Sequence, residues 1–308
     1  MIELFNINHY KIDTSRFSNL LHDEVVCEFE QAFAEYVGAK YACFANSASS
    51  LLFLSLLKYN TTIRLPSTMP PVVPNVVINT DNKIQFYDDI NWVGNAYHLH
   101  ENIFDSAQEV SKNQYENYAN DDALVIFSFY PTKPIGGCDG GMVVSNNREA
   151  IDWYRMMVLN GMNYSSNNWE RKQITAGYKM HGNSIQAYVA NENLKKLNHK
   201  NQRLDEIRDL YNKQLGYENT SRHLYRIRVK DNAVFIQMMK KEGIVCGIHY
   251  EHCHEKSFYG GCWDLAVSKK ESKQTVSIPY HEKLTKHQIN KVINYSLKHC
   301  LAKSGGIN

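Results

Sequence analysis

The sequence predicts an α/β protein with a mostly parallel sheet, because short apolar segments alternate with helical segments through its first half. Strands are predicted at KYACFA, TTIRLP, KIQFYD, ALVIFSF and GMVVS. A helical segment, DEVVCEFEQAFAEY, precedes the first strand and carries apolar residues along one face. Gly38 follows shortly after it, in the position where glycine commonly ends a helix.

Further helices are predicted between and after these strands. The segment SASSLLFLSLLKY opens with small polar residues that favour a helix start and continues as a buried apolar helix. PPVVPNVVI places prolines in a first helical turn, where proline is tolerated. NREAIDWYRMMVLN follows the last predicted strand of this half. We therefore expect a sheet that is sandwiched by helices.

The chain changes character near residue 163. A polar loop, NYSSNNWERKQ, leads into two amphipathic helical segments, SIQAYVANENLKKL and NQRLDEIRDLYNKQL. The last hundred residues mix the predicted strands HLYRIRV, GIVCGIHY and VSIPY with helices, which indicates a small α+β unit. We therefore expect a large domain at residues 1–198 and a small C-terminal domain at residues 199–308.

Composition and charge exclude several classes of function. The chain has 308 residues with 34 basic and 32 acidic side chains, so its charge gives no general reason to expect nucleic acid or an anionic membrane as partner. Its first residues lack the apolar core of a signal peptide, and no apolar run approaches the roughly 20 residues that span a bilayer. Seven scattered cysteines fit a reducing compartment, so we expect a soluble cytoplasmic protein.

A single lysine stands in the glycine-rich segment FSFYPTKPIGGCDGG, residues 127–141. Lys133 follows a buried strand, and three interpretations compete for it. It could be a solvated lysine on a turn. It could bind phosphate, but a P-loop needs its glycines before the lysine, and here they follow it. It could also form an imine with the aldehyde of a cofactor.

The third interpretation accounts for more of the chain. Pyridoxal phosphate needs a carboxylate at its pyridine nitrogen, and it needs hydroxyls and backbone N–H groups at a helix start for its phosphate. Asp105 ends the short apolar segment in NIFDSAQ. Ser49 and Ser50 open the helix in ANSASSLL, and Ser128 lies five residues before Lys133. These residues predict a pyridoxal phosphate site.

Five blocks in the same order resemble the DegT/DnrJ/EryC1/StrS family of pyridoxal-phosphate-dependent sugar aminotransferases, over nearly the whole chain. The blocks are FEQAFAEYVGAKYACFANSASSLLFLSLL, LPSTMPPVVPNVVINTDNKIQFYDD, FDSAQ, SFYPTKPIGGCDGGMVVS and GYKMHGNSIQA. The tail GIHYEHCH…SIPYHEKLT resembles the closing segments of the family. The resemblance implies fold-type I, in which the large domain binds the cofactor.

The resemblance also implies roles for individual residues. Lys133 matches the imine-forming lysine, which would also carry the proton transfer of the reaction, and Asp105 matches the partner of the pyridinium nitrogen. Gln108 matches the glutamine near the phenolic oxygen of the cofactor, although a buried glutamine can also serve only the backbone. The expected phosphate contacts are Ser49, Ser50 and Ser128.

The implied function is that of a homodimeric aminotransferase. An amino acid, L-glutamate by resemblance, would donate its amine to the cofactor, which would then aminate a keto group on a nucleotide-linked sugar. Some family members are instead dehydratases whose lysine is replaced by histidine, and Lys133 argues against that alternative. A second alternative stays open, namely that the protein binds the cofactor or a sugar nucleotide without catalysis, because this chain departs from the family pattern.

The chain departs from the family pattern in three places, two of them short motifs and one a whole segment. Pro70, beside Met69, occupies the place of the aromatic residue that stacks on the cofactor. Lys179 occupies the place of an asparagine that contacts the partner subunit's cofactor phosphate, and His181 that of an arginine. If Lys179 takes over the phosphate contact, the active sites are shared between two chains. The segment between Asp89 and Phe104 is also much shorter than in the family, which usually has an extra strand and helix there.

Two further segments have more than one interpretation. HYEHCHEKSFYGGC, with His252, Cys253 and Cys262, has no spacing typical of a zinc site, and the resemblance implies a substrate loop with His249, Tyr250 and His254. A purely structural loop is the alternative. In the polar loop NYSSNNWERK, which also carries Tyr164, Trp169 could stack on a base and Arg171 could pair with a phosphate. A surface loop without a ligand is equally consistent with that composition.

Overall fold

The computed structural model describes residues 1–118, 120–163, 170–261 and 263–299. Its strands are β1 (Tyr41–Ala45), β2 (Thr62–Pro66), β3 (Lys83–Tyr87), β4 (Tyr97–His100), β5 (Ile103–Asp105), β6 (Leu124–Ser128), β7 (Gly141–Ser145), β8 (Tyr225–Arg228) and β9 (Thr275–Ile278). Its α-helices are α1 (Glu24–Val37), α2 (Ala48–Leu56), α3 (Val72–Asn79), α4 (Arg148–Val158), α5 (Ser184–Leu194), α6 (Leu197–Leu215), α7 (Asn232–Lys241), α8 (Ala266–Gln274) and α9 (Lys286–Leu297).

The α/β class is confirmed, and the main sheet is mixed. Its five strands follow the order β1-β7-β6-β5-β4, in which β5 and β6 run parallel and the other neighbours are antiparallel. A separate parallel ladder joins β2 to β3. The sequence alternation predicts a mostly parallel sheet, but residues 129–140 connect β6 to β7 without a helix. Such a connection returns the chain in the antiparallel direction, because a parallel neighbour needs a longer crossover.

Helices cover both faces of this sheet, as the sequence predicts. Successive side chains of β6 point to opposite faces, so that Ile126 packs in one apolar cluster while Val125 and Phe127 pack in another. The first cluster includes Leu51 and Leu54 of α2 and residues of α3 and α4. The second cluster is built on α1 and α5. The sheet therefore has a buried face on each side, which fixes its register.

The C-terminal part has a core of its own. A third apolar cluster combines residues of α6, α7 and α9 with the antiparallel pair β8–β9. Ile2 joins it from the other end of the chain, because its N–H donates to the carbonyl of Gly243 and its carbonyl accepts from Val245. The expected boundary near residue 198 falls at the start of α6 and stays a prediction. Among the described helices, none combines the length and apolar character that crossing a lipid bilayer requires.

Candidate active site

Lys133 is held at the end of β6 by a tight, glycine-dependent turn. Its backbone N–H donates to the carbonyl of Tyr130 at 2.8 Å, and the N–H of Gly137 donates to the carbonyl of Phe129 at 2.8 Å. Gly136 between them has a φ of +64°, and a β-carbon there would lie 2.8 Å from the carbonyl oxygen of Pro131. Only glycine tolerates both constraints. The glycines that follow Lys133 thus fix where the lysine leaves the strand.

The ammonium group of Lys133 is destabilised by its surroundings. Burial lowers the pKa of Lys133 to about 8, because a desolvated ammonium ion is unfavourable, while the carboxylate of Asp105 opposes that shift. The effect of Asp105 on Lys133 shows that the two side chains lie near each other. A lysine with this pKa supplies a substantial fraction of free amine near neutral pH, as a nucleophile requires.

Asp105 is buried at the end of β5, where both oxygens of its carboxylate are engaged. Its Oδ1 accepts from the N–H of Ala107 at 2.9 Å, and its Oδ2 accepts from the hydroxyl of Tyr97 at 3.1 Å. Asp105 is paired with Ile126 in the parallel ladder of β5 and β6, so the carboxyl ends of both strands meet at one edge. That shared edge brings Asp105 towards Lys133. Burial raises the pKa of Asp105, while the Ala107 N–H, Lys133 and Tyr97 oppose the rise.

The start of α2 lies beside this edge. Ser47 caps the helix, because its Oγ accepts from the N–H of Ser50 at 3.1 Å, and the hydroxyl of Ser50 donates to Asn46 Oδ1 at 2.7 Å. Ser49 lies in the first turn and is partly exposed. Ser49 and Ser50 are the phosphate contacts predicted from the sequence, whereas the role of Ser47 as the helix cap was not predicted. A serine directly before a helical segment is the sequence pattern that predicts a helix cap.

The glycine pair at the start of β7 lies between α2 and β6. Ser47 forms a bridge with Gly140, and the buried Ser128 is paired with Gly141. A β-carbon at Gly141 would lie 2.3 Å from the backbone nitrogen of Ala48. This close approach places Ser128 near the first turn of α2. The arrangement is typical of a phosphate site, since a helix start offers free N–H groups and a partial positive charge.

These residues fit pyridoxal phosphate. The cofactor requires an amine with a depressed pKa, a carboxylate and an anion site at a helix start, and Lys133, Asp105 and the start of α2 provide them at one sheet edge. Gln108 is buried nearby, where its Oε1 accepts from the N–H of Gly94 at 3.0 Å. Gln108 therefore holds the shortened segment, and its expected contact with the cofactor stays a prediction.

The missing aromatic residue is the main difference from the family pattern at this site. Met69 is buried and Pro70 is partly exposed ahead of α3. The indole of Trp92, from the shortened segment, donates to the carbonyl of Thr68 at 3.1 Å and so lies against the same loop. Its ring is stacked 6.3 Å from that of Tyr250. The shortened segment thus supplies an aromatic group next to the position where the family pattern has one.

His249 and Tyr250, the predicted substrate-loop residues, lie close to this centre. His249 Nδ1 and the hydroxyl of Ser277 are 3.0 Å apart. Burial lowers the pKa of His249 to about 4, with further contributions from the charges of Lys133 and Arg226. Burial raises the pKa of Tyr250, with the charge of Asp105 adding to the rise. Each of these two side chains therefore lies within electrostatic range of a predicted catalytic residue.

His254 lies in a different environment. It is almost fully buried, and its Nδ1 is 2.6 Å from the hydroxyl of Ser67, which follows β2. His252 is held between Ser272 at 2.8 Å and Glu255 at 2.7 Å. The nitrogens of the two histidines and a carboxylate oxygen of Glu255 lie within 4.8 Å of one another, and Lys269 occupies the other oxygen of Glu255 at 2.5 Å. His254 thus joins its loop to the end of β2 in the β2–β3 ladder, and its predicted substrate contact stays a prediction. Cys262 lies outside the described residues.

The remaining predicted residues lie elsewhere or are not described. Trp169 and Tyr164 fall outside the described residues. Arg171 Nη1 is 3.2 Å from His22 Nε2, and His22 lines a cavity of about 470 Å³ between α1, β1 and α4. His181 lines the same cavity, with its ring 4.5 Å from that of His22. The structure thus places His22 and His181 at that cavity and Arg171 beside His22.

Lys179 is exposed on the segment that runs beside the start of α2. The carbonyl of the next residue, Met180, accepts from the N–H of Asn46 at 2.8 Å, and Lys179 itself forms a bridge with Leu159. An exposed side chain at this place is accessible to a second chain, and its expected role on the partner subunit's cofactor stays a prediction.

Sequence reasoning missed three residues near the centre. Tyr97 donates to Asp105. His223 is buried and its pKa is well below the usual value, first because of burial and then because of the charge of Lys133. Arg226 on β8 has a pKa lowered to about 10 by burial, and its charge acts on His249 and Tyr250. The alternation in YRIR gave a signal for Arg226, because it predicts two arginines on one face of a strand.

Comparison with known proteins finds relatives over most of the chain. Residues 101–296 match the model of the DegT/DnrJ/EryC1/StrS aminotransferase family. The chain is 26% identical to UDP-4-amino-4,6-dideoxy-N-acetyl-beta-L-altrosamine transaminase from Campylobacter jejuni, over 91% of this chain and 93% of that protein.

Solved structures show the same fold at lower sequence identity. Aminotransferase TlmJ from Streptoalloteichus hindustanus matches with a TM-score of 0.82 and 19% identity, over 96% of this chain and 97% of the other. Helicobacter pylori PseC, an aminotransferase involved in pseudoaminic acid biosynthesis, matches with a TM-score of 0.78 and 18% identity, over 96% and 98%. The fold expected from the sequence is thereby confirmed.

Proposed function

Because the chain belongs to the DegT/DnrJ/EryC1/StrS aminotransferase family, we propose that it uses pyridoxal phosphate to aminate a keto group on a nucleotide-linked sugar. The amine would come from an amino acid, L-glutamate. The observation that carries the proposal is the placement of Asp105 at the end of β5 and of Lys133 on the turn after the neighbouring parallel strand β6, within electrostatic range of each other. When bound, pyridoxal phosphate supplies an electron-withdrawing ring that stabilises negative charge on a substrate carbon.

Lys133 would attach the cofactor and then move protons. A pKa of about 8 lets this amine take up and release a proton near neutral pH, which is the condition for efficient general acid–base catalysis. Its turn holds the backbone rigidly while the side chain keeps its own rotations. Asp105 would hold the pyridine nitrogen in its protonated form, because a buried carboxylate favours a positive partner.

The start of α2 would anchor the phosphate throughout the reaction. Ser49 and Ser128 would donate hydroxyl hydrogen bonds, and Ser50 would do so once its hydroxyl turns away from Asn46 Oδ1. The free N–H groups of the first helical turn would add to them. Ser47 supports this site by capping the helix. Gln108 would lie on the phenolic side of the ring, as the resemblance implies.

The C-terminal part would bind the substrates. His249 and Tyr250 lie within electrostatic range of Lys133 and Asp105 and would contact the sugar. Arg226, which is partly exposed, brings a cation to the same place, where an anionic substrate group would find a partner. His254, Trp169 and Arg171 remain the other proposed substrate contacts.

We further propose a cytoplasmic homodimer. Lys179 is exposed beside the start of α2. From there its side chain could reach the phosphate site of a second chain. No disulfide joins the cysteines of the described residues, namely Cys27, Cys43, Cys138, Cys246 and Cys253, which fits a reducing compartment.

The test is amino transfer by the purified protein loaded with pyridoxal phosphate. L-Glutamate and a panel of keto-sugar nucleotides are supplied, beginning with UDP-linked sugars because the Campylobacter relative is named for one. Mass spectrometry should show an amino-sugar nucleotide and 2-oxoglutarate in equal amounts, and Lys133→Arg should abolish both. If no amino donor converts the bound cofactor to its aminated form, the protein binds the cofactor without catalysis and the proposal is wrong.

A further inference from the structure

The structure assigns to Tyr97 the role of a positioning residue for Asp105, and this inference rests on the proposed function. The hydroxyl of Tyr97 holds one carboxylate oxygen of Asp105 so that the carboxylate keeps a single orientation towards the ring nitrogen of the cofactor. Tyr97 comes from the shortened segment between Asp89 and Phe104. The segment that departs most from the family pattern therefore completes the site.

The geometry begins with strand pairing. Tyr97 in β4 is the direct cross-strand partner of Asp105 in β5. Its hydroxyl donates to Oδ2 at 3.1 Å, while the N–H of Ala107 donates to Oδ1 at 2.9 Å. With one donor on each oxygen, rotation of the carboxylate would break both hydrogen bonds. Each oxygen keeps further lone pairs, so a third donor can still be accepted.

The ring of Tyr97 is itself fixed by its neighbours. Its centroid lies 4.6 Å from that of Trp92, which is buried and donates to the carbonyl of Thr68. Two residues further on, Gly94 is held from both sides, because its N–H donates to Gln108 and its carbonyl accepts from the hydroxyl of Ser221. The hydroxyl of Tyr97 is thus positioned by a segment anchored to both parts of the protein.

The charges around this pair favour donation from Tyr97 to Asp105. Burial and the carboxylate of Asp105 both raise the pKa of Tyr97, so the phenol stays protonated and donates. Donation to an ionised carboxylate stabilises it, which opposes the rise in the pKa of Asp105 caused by burial. The other titratable groups that sense Asp105 are Lys133, Tyr250 and Tyr118. Of these four residues, Tyr97 donates a direct hydrogen bond to Asp105.

The test compares Tyr97→Phe with the unchanged protein, both titrated with pyridoxal phosphate. Loss of a hydrogen bond to a charged group should weaken cofactor binding roughly tenfold. The pH at which the absorbance band of the bound cofactor changes should also rise. When the ring nitrogen is protonated to a smaller extent, the ring withdraws electron density less strongly. A titratable group conjugated with the ring then has a higher pKa and stays protonated to higher pH.

A matched control separates this effect from loss of any buried hydroxyl. Tyr154→Phe removes a hydroxyl that lies 2.7 Å from the hydroxyl of Ser55 in the core of the same part of the chain. In this control the dissociation constant of the cofactor should stay within twofold of the value for the unchanged protein. The pH midpoint should not change within error. If Tyr97→Phe resembles this control in both measurements, the inference is wrong.

A double-mutant cycle tests whether Tyr97 acts through Asp105. In an Asp105→Asn background, Tyr97→Phe should change cofactor affinity less than twofold, because the charged acceptor is already absent. An unchanged tenfold loss in that background would contradict the positioning role. If Tyr97→Phe folds poorly by circular dichroism, 3-fluorotyrosine at position 97 replaces it. The fluorinated phenol is a stronger hydrogen-bond donor and should lower the pH midpoint. If the midpoint does not shift, the inference is wrong.

The outcomes also separate this inference from the function on which it rests. If the unchanged protein binds no pyridoxal phosphate on Lys133, the proposed function and the role of Tyr97 are both wrong. If the unchanged protein binds it and Tyr97→Phe binds it equally well with the same pH midpoint, only the role of Tyr97 is wrong.

Discussion

The guanidinium of Arg226 donates to the backbone carbonyl of Ile90 at 2.7 Å, which joins β8 to the shortened segment. Nearby arginines are neutralised, since Arg228 pairs with Glu271 and Arg222 pairs with Asp205. Among the ion pairs within the described parts of the chain, none involves Arg226. Arg226 is only partly exposed, and a desolvated cation without a paired carboxylate is costly, so such groups are often retained for a ligand.

We therefore predict that Arg226→Gln raises the KM of one anionic substrate at least about tenfold, with a smaller effect on kcat. Steady-state kinetics with the sugar nucleotide and the amino donor varied in turn will show which anion Arg226 binds. Arg203→Gln is a matched control, because Arg203 also donates to a backbone carbonyl, that of Leu284, in the same part of the protein. If the KM values of Arg226→Gln for both substrates equal those of the unchanged protein, the assignment is contradicted.

The partly buried His249 predicts a loss of stability in acid. Its pKa is about 4 in the folded protein against 6.5 for the ordinary group, so between these values the unfolded chain binds a proton that the folded chain does not. The stability of the unloaded protein should therefore fall as pH decreases from 6.5 to 4. His249 alone accounts for up to about 3 kcal/mol of that loss.

Urea unfolding at a series of pH values measures this effect. His249→Gln should reduce the acid-dependent loss, because glutamine does not titrate. His287→Gln, at an exposed position on α9, is the control and should leave the pH profile unchanged. A profile for His249→Gln that is as steep as that of the parent protein would argue against the buried, neutral histidine.

Asp105 should control the basicity of Lys133 in the unloaded protein. Its carboxylate raises the pKa of Lys133 against the stronger effect of burial, so Asp105→Asn should lower that pKa below about 8. Carbon-13 NMR of reductively methylated protein gives the lysine pKa, with the Lys133 signal identified by its loss in Lys133→Arg. An unchanged or higher pKa in Asp105→Asn would show that the two groups do not interact.

The cap of α2 should contribute to both stability and phosphate binding. Ser47→Ala removes the hydrogen bond to the N–H of Ser50 and should cost about 1 kcal/mol of stability. It should also weaken binding of pyridoxal phosphate more than binding of pyridoxal, which lacks the phosphate. Thr285→Ala removes the cap of α9, away from the site, and should cost similar stability without changing that preference. Equal preferences in the two variants would exclude a phosphate role for this helix start.

Much of the fold follows from local sequence patterns. The strands predicted at KYACFA, TTIRLP, KIQFYD, ALVIFSF and GMVVS correspond to β1, β2, β3, β6 and β7. Gly38, with a φ of +81°, ends α1 as expected, because that conformation favours glycine. Lys133, Asp105 and Ser128 could be proposed as site residues from the sequence because Asp105 and Ser128 end apolar segments and Lys133 follows one, where α/β proteins often place functional side chains.

The remainder depends on contacts between distant segments. β4 and β5 are only four and three residues long, which is too short for a clear periodic signal. Tyr97 becomes significant only through its register opposite Asp105, and a shift of one residue would turn it to the other face. Arg226 likewise gains its meaning from Ile90, which is 136 residues away in the chain. No local pattern in the sequence contains these relationships.

The most direct test of the account is reduction of the protein loaded with pyridoxal phosphate by borohydride, followed by peptide mapping. The account predicts one stable cofactor adduct, located on Lys133, and its complete loss in Lys133→Arg. An adduct on another lysine, or one that persists in Lys133→Arg, would contradict it.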